Sequence, residues 1–113
     1  MAAITAAAYT YLRNTGPVGD WFLEIQTAAG AALARKASSV SDNAGTQTVT
    51  LSATFAGSEI GPALPQTTDR VVAFDLGAAG DAMTAAETYA EFTFAEGTDE
   101  VTVSLPVEVP QQV

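Results

Sequence analysis

The chain contains neither cysteine nor histidine, and these two absences close more routes to function than any residue present opens. Without cysteine there is no disulfide and no thiolate nucleophile. Without histidine there is no imidazole base, and the two absences together remove the usual ligands of zinc and other transition metals. A Ser-His-Asp arrangement is excluded as well, so Ser38, Ser39 and Ser41 have no histidine to activate them. Bases are scarce: Arg13, Arg35, Lys36 and Arg70 are the whole complement, too few and too dispersed for a nucleic-acid footprint. Gly77-Ala78-Ala79-Gly80 lacks the lysine and the following helix of a phosphate loop. No run is long or apolar enough to span a bilayer. The N-terminus, Met1 to Ala8, has no basic region ahead of an apolar run and makes a poor signal peptide. Absent disulfides lean toward a protein folded in a reducing cytoplasm. The expectation is a non-enzyme without catalytic residues, with no bound cofactor and no nucleic-acid or membrane partner.

What is present is enough for one domain. A chain of 113 residues buries roughly two-thirds of its unfolded surface in a single core. Although 48% of the residues are apolar, many are alanine, so large core-filling side chains are few and a thin, two-layer core is expected. Charge is uneven. Residues 1–56 balance three acids (Asp20, Glu24, Asp42) against three bases, whereas residues 57–113 carry ten acids against Arg70 alone, which places the whole net charge of -9 in the second half. Such a surface repels phosphates and anionic lipid and favours a basic partner; simple solubility accounts for it equally well. The thirteen carboxylates also raise a two-acid glycosidase. Their outward and turn positions, and the single tryptophan, Trp21, argue against it.

Period-two alternation dominates the pattern. The stretch from Glu87 to Val109 reads as a β-hairpin: Ala90, Phe92 and Phe94 oppose Tyr89, Glu91 and Thr93, and Val101, Val103, Leu105, Val107 and Val109 oppose Thr102, Ser104 and Glu108. Glu96-Gly97-Thr98-Asp99 supplies the reversal. Trp21, Leu23 and Ile25 point inward from a strand that ends at Ala28-Ala29-Gly30. Residues 31–40 suit a short helix by propensity or a partner strand by hairpin logic; the strand is preferred. Ser41 to Gly45 reads as a turn, and Thr46 to Ala56 as a strand with Val49, Leu51, Ala53 and Phe55 inward. Gly57 to Thr68, with Gly61-Pro62 and Pro65, reads as a loop crossing between sheets, and Arg70 to Leu76 as a strand. Pro106 marks an edge position or a bulge. Residues 1–19 form an extended arm or edge strand, and residues 20–113 a single domain. The expected fold is all-β, an antiparallel immunoglobulin-like sandwich of six to seven strands, with a jelly roll or small barrel as the alternative. Its core takes Trp21, Ile25, Val49, Leu51, Phe55, Phe74, Phe92, Phe94, Val101 and Val103.

Ala79-Gly80-Asp81-Ala82-Met83-Thr84, followed by Phe92-Thr93-Phe94-Ala95-Glu96-Gly97 and Val101-Thr102-Val103-Ser104-Leu105, resembles the end of a Calx-β-type module. In that family an A-G-x-D-Y turn precedes an L-T-F-x-x-G-x strand and a last strand of alternating valines. The resemblance implies a β-sandwich. Because some modules of that type bind calcium through acids at one end, it makes Asp75, Asp81, Asp99 and Glu100 the calcium candidates. A hard cation wants several oxygen ligands from flexible loops; read without the resemblance, aspartates beside glycines are turn formers.

In composition the chain is also similar to the small structural proteins of tailed-bacteriophage virions, head decoration or cement proteins in particular. That similarity implies a non-catalytic virion protein, assembled in the host cytoplasm. Its partners are the major capsid protein or other virion subunits, and further copies of itself in a homo-oligomer. Ile4, Tyr9, Tyr11 and Leu12 of the arm are the candidate contact residues, since tyrosine offers a large amphipathic surface; a lid over the chain's own core is the alternative. A calcium-binding Calx-β-like adhesion or interaction module, and a phage tail or fibre component, are the other readings of function.

Overall fold

The structure is a computed structural model that describes residues 21–43, 48–74 and 80–108. The expected arm over residues 1–19 lies outside them. Seven strands are described: β1 (Phe22–Gln26), β2 (Ala32–Ala37), β3 (Ser39–Asn43), β4 (Thr48–Ala56), β5 (Gln66–Phe74), β6 (Glu87–Phe94) and β7 (Glu100–Glu108). They form two antiparallel sheets, a four-stranded one in the order β2-β1-β5-β6 and a three-stranded one in the order β3-β4-β7. The fold is an all-β sandwich. It has the four-plus-three strands of an immunoglobulin-like sandwich with a different connection order: among the described strands the sixth, rather than the fourth, joins the first, second and fifth.

Alternation explains the core. Val49, Leu51, Ala53 and Phe55 of β4 are buried beside Val103 and Leu105 of β7, and across the sandwich from them stand Leu23 and Ile25 of β1, Val71 and Ala73 of β5, and Phe94 of β6. Phe92 and Phe94, two residues apart on one face, meet edge to face with ring centroids 4.9 Å apart. The outer face of the three-stranded sheet is a field of hydroxyls. Ser52 and Ser104 Oγ lie 3.0 Å apart and Thr54 and Thr102 Oγ1 2.8 Å apart, each pair directly opposed across β4 and β7.

Three connections move the chain between sheets. Residues 31–40, expected as one strand, divide at Ser38: β2 lies in one sheet and β3 in the other. Ser38 holds the crossing by donating from Oγ to the Trp21 carbonyl at 2.7 Å. Ser41, Asp42 and Asn43, expected in a turn, therefore continue β3 opposite Thr50, Val49 and Thr48. The second crossing follows β4, through a short 3-10 turn over Gly57–Glu59. It is shorter than the expected loop, because β5 already begins at Gln66.

The third crossing corrects the central expectation. β6 pairs with β5, and β7 pairs with β4, so Glu87 to Glu108 is an arch between the sheets and not a hairpin. Local alternation is the same in both arrangements; only the partner differs. One irregularity corrects two faces. A ladder shift between Thr68 and Arg70 lets Thr68 and then Val71 and Ala73 point inward, which sends Phe74 to the outer face. There the Arg35 guanidinium stacks 3.6 Å from the Phe74 ring centroid. The same shift turns Tyr89 toward the core, half-buried, instead of leaving it on the wet face with Glu91 and Thr93. Trp21, Phe92 and Val101 also pack against the core only half-buried.

These positions separate two phenylalanines. Phe94→Ala should cost about 4 kcal/mol, as fully buried aromatic truncations do. Phe74→Ala, on the outer face, should cost less than half of that. Urea unfolding of the two variants checks the order.

Candidate functional site

The arch is built from backbone contacts. Gly57 N–H donates to the Asp99 carbonyl at 2.7 Å, and Ser58 N–H to the Gly97 carbonyl at 3.0 Å. A Cβ at position 57 would collide with the Glu96 carbonyl oxygen, so the close approach requires glycine there. Asp99 fixes the turn itself: its Oδ2 accepts the N–H groups of Ala95 and Glu96 at 2.8 and 2.9 Å. The result presents Glu96 and Glu100 on the surface at the arch; Glu91 and Glu87 are exposed farther back along β6, Glu87 at its opposite end.

The stretch that holds the arch is acidic without compensation of its own. Residues 80–108 contain Asp81, Glu87, Glu91, Glu96, Asp99, Glu100 and Glu108, and no base. The three described bases lie beside other acids. Arg35 donates from Nε and Nη2 to Glu24 Oε1 at 3.1 and 2.9 Å, while Gln26 holds the other oxygen at 2.7 Å. Lys36 pairs with Glu59 at 2.8 Å. Arg70 Nε lies 3.8 Å from Asp69 Oδ1, too far for a hydrogen bond.

The calcium candidates are not brought together. Asp75 lies outside the described residues. Asp81 is exposed beside the Phe74–Ala82 bridge, at the end of β5 opposite the arch that holds Asp99 and Glu100, roughly 25 Å away by strand length. Asp99 has its carboxylate engaged in the turn, as the turn-former reading expects. Among the described residues no cluster of three or more carboxylates stands ready for a metal ion. Ile4, Tyr9, Tyr11 and Leu12 lie outside the described residues.

Three polar features escaped sequence reasoning. The first is a clasp on β4. β3 covers β4 only as far as Ser52, which leaves Thr54 C=O and Ala56 N–H facing that way. Lys36 Nζ donates to the Thr54 carbonyl at 2.7 Å and Glu59 Oε1 accepts the Ala56 N–H at 2.8 Å. The ion pair thus stands in for missing strand, and nothing in the spacing of Lys36 and Glu59 announces it. The second is the nearly buried Glu24 with Arg35; a lone acid inside an apolar strand was its signal. The third is a chain in which Thr68 donates to the Gln26 carbonyl at 3.0 Å. Thr68 has one proton to give, so Tyr89 O–H donates to Thr68 Oγ1. Burial pushes the Tyr89 phenol above its usual value, the Thr68 hydrogen bond pulls it back, and the Asp69 charge adds to the rise. Beside this chain, Thr27, Ala28, Ala29, Thr67, Asp69 and Glu91 line a shallow, open groove of about 470 Å³.

Comparison with known protein families, with curated proteins and with solved structures finds no match for this chain.

The clasp makes stability pH-dependent in a defined direction. The Lys36 hydrogen bond, followed by the Ala56 N–H, holds the Glu59 carboxyl below its ordinary value of 4.5. A depressed carboxylate contributes stability that is present above the unfolded value and lost as pH falls through the folded one. Unfolding free energy should therefore drop below about pH 4.5. Glu59→Gln should flatten that drop and, the pair being exposed, cost about 0.5 kcal/mol at neutral pH. Urea titrations at a series of pH values check both.

Proposed function

We propose that the protein is a non-catalytic structural subunit that attaches by its β6–arch–β7 side to a basic surface of a larger assembly. We further propose that this assembly is the head shell of a tailed bacteriophage, which the protein decorates or cements. The observation that carries the attachment is the run of seven acids and no base in residues 80–108, of which Glu96 and Glu100 are exposed at the arch and Glu87 and Glu91 along β6. A field of one sign accelerates encounter with a basic patch and rejects nucleic acid and anionic lipid. The shell as partner rests on composition alone: a short, acidic, Ala/Thr/Val/Gly-rich chain without cysteine or histidine is similar to such virion proteins. On this reading the protein is assembled into the virion in the host cytoplasm, with the major capsid protein as its main contact.

Binding to purified, undecorated heads across a salt series tests the proposal. Binding should be strongest at low salt, weaken as salt screens the charges, and fall further when Glu91→Lys and Glu96→Lys are combined. No binding at low salt, or binding indifferent to both salt and charge reversal, overturns it. The calcium-dependent reading makes a different claim, a melting temperature that rises with millimolar calcium and falls with chelator; the structural reading expects no change.

A further inference from the structure

The four edge strands of the sandwich are not equally finished. On β2, the Leu33 carbonyl accepts the Gly61 N–H at 2.9 Å. β3 is five residues long and turns only Val40 and Asp42 outward, because Ser39, Ser41 and Asn43 face β4. The ladder shift in β6 leaves only short regular runs, and such bulges blunt edges.

β7 is different. It is nine residues long and pairs with β4 without a shift. Its hydrogen-bonding sides follow from the printed neighbours of β4. Asp99 C=O faces Gly57 N–H, whereas Thr54 C=O and Ala56 N–H face Lys36 and Glu59. Odd-numbered residues of β7 therefore bond to β4, and Glu100, Thr102, Ser104 and Glu108 aim their N–H and C=O groups away from the sheet. Pro106 belongs to the same outward set, where its missing N–H takes nothing from the ladder. Among the described residues nothing occupies this side. The open run is Glu100 to Leu105, ended by Pro106, with Val101 half-buried along it.

We infer that this edge of β7 is the seat of residues 4–12 of a second copy, added as an eighth strand. Residues 4–12 are uncharged and alternate, with Ile4, Ala6, Ala8, Thr10 and Leu12 on one face and Thr5, Ala7, Tyr9 and Tyr11 on the other. The first face would extend the core beyond Val101 and Val103, and the backbone would satisfy the outward groups of Glu100, Thr102 and Ser104. Charge agrees. Two acidic β7 sides repel one another, but a neutral strand followed by the base Arg13 complements Glu100 and Glu96. The inference deepens the structural-subunit reading by naming how copies join, and it rests on that reading only for self-association.

The test uses the full chain alone, so it can fail while head binding succeeds, and the reverse. Solution mass and amide hydrogen exchange are measured at high and low protein concentration. At high concentration the chain should be oligomeric and the amides of Thr102 and Ser104 protected; on dilution the mass should fall to a single chain and those two amides exchange freely, while Val103 and Leu105 stay protected throughout. Thr102→Pro, which removes an outward N–H only, should abolish the oligomer and leave the amides of β4 protected. A chain monomeric at all concentrations, with or without protected Thr102 and Ser104, overturns the inference. So does an oligomer in which these amides exchange freely, or one that survives Thr102→Pro in a variant whose β4 amides remain protected.

Discussion

At the arch, backbone meets backbone: Gly57 N–H donates to the Asp99 carbonyl at 2.7 Å, and a Cβ on residue 57 would collide with the Glu96 carbonyl oxygen. The chain can leave the four-stranded sheet after Phe94 and enter the three-stranded one at Glu100 because position 57 is glycine and Asp99 supplies acceptors for the two turn amides. Phe94 and Val103 then reach one core from opposite sheets. The placement of the acids follows as well, since Glu96 and Glu100 flank the same turn. A fold-determining contact and the proposed attachment side are thus built from the same few residues.

The sequence makes the strands legible and their partners much less so. Val49 to Phe55 alternate without interruption and are found as read, because a strand buried on one face must keep period two wherever it pairs. Glu87 to Glu108 keep that period too, yet a hairpin and an arch share it, and the choice depends on β4 and β5 competing for β7 and β6. Phe74 and Tyr89 were misplaced for a related reason: the ladder shift beside Thr68 changes face without changing residue type. Ser38 carries no composition signal for a sheet crossing beyond being small and polar, although its hydroxyl secures one.

The candidate site was legible in charge and not in position. Ten acids in the second half announce an acidic surface, but only the arch brings Glu96 and Glu100 to one turn, with Glu91 and Glu87 exposed at increasing distance along β6. The calcium set drawn from family resemblance is divided by the length of β5, with Asp81 at one end and Asp99 at the other. Lys36 and Glu59, which look like ordinary solvated charges, close an exposed stretch of β4 that would otherwise offer itself to another strand. With β2, β3, β4 and β6 each blunted by a local device, the long, regular outer side of β7 stands apart, and its character as an open edge depends on the arch.

Because the chain has no cysteine, introduced pairs report the arch directly. Ser52 and Ser104 are directly opposite across β4 and β7, in a non-hydrogen-bonded pair with Cα atoms about 4.5 Å apart, within disulfide range. A hairpin turning at Glu96 to Asp99 would instead set Thr93 opposite Thr102, whereas the arch sets Thr93 opposite Thr67. Oxidation of the Ser52→Cys, Ser104→Cys double variant should close a disulfide in the folded protein, and Thr93→Cys with Thr102→Cys should not. Closure of the second pair and failure of the first would contradict the arch and everything built on it.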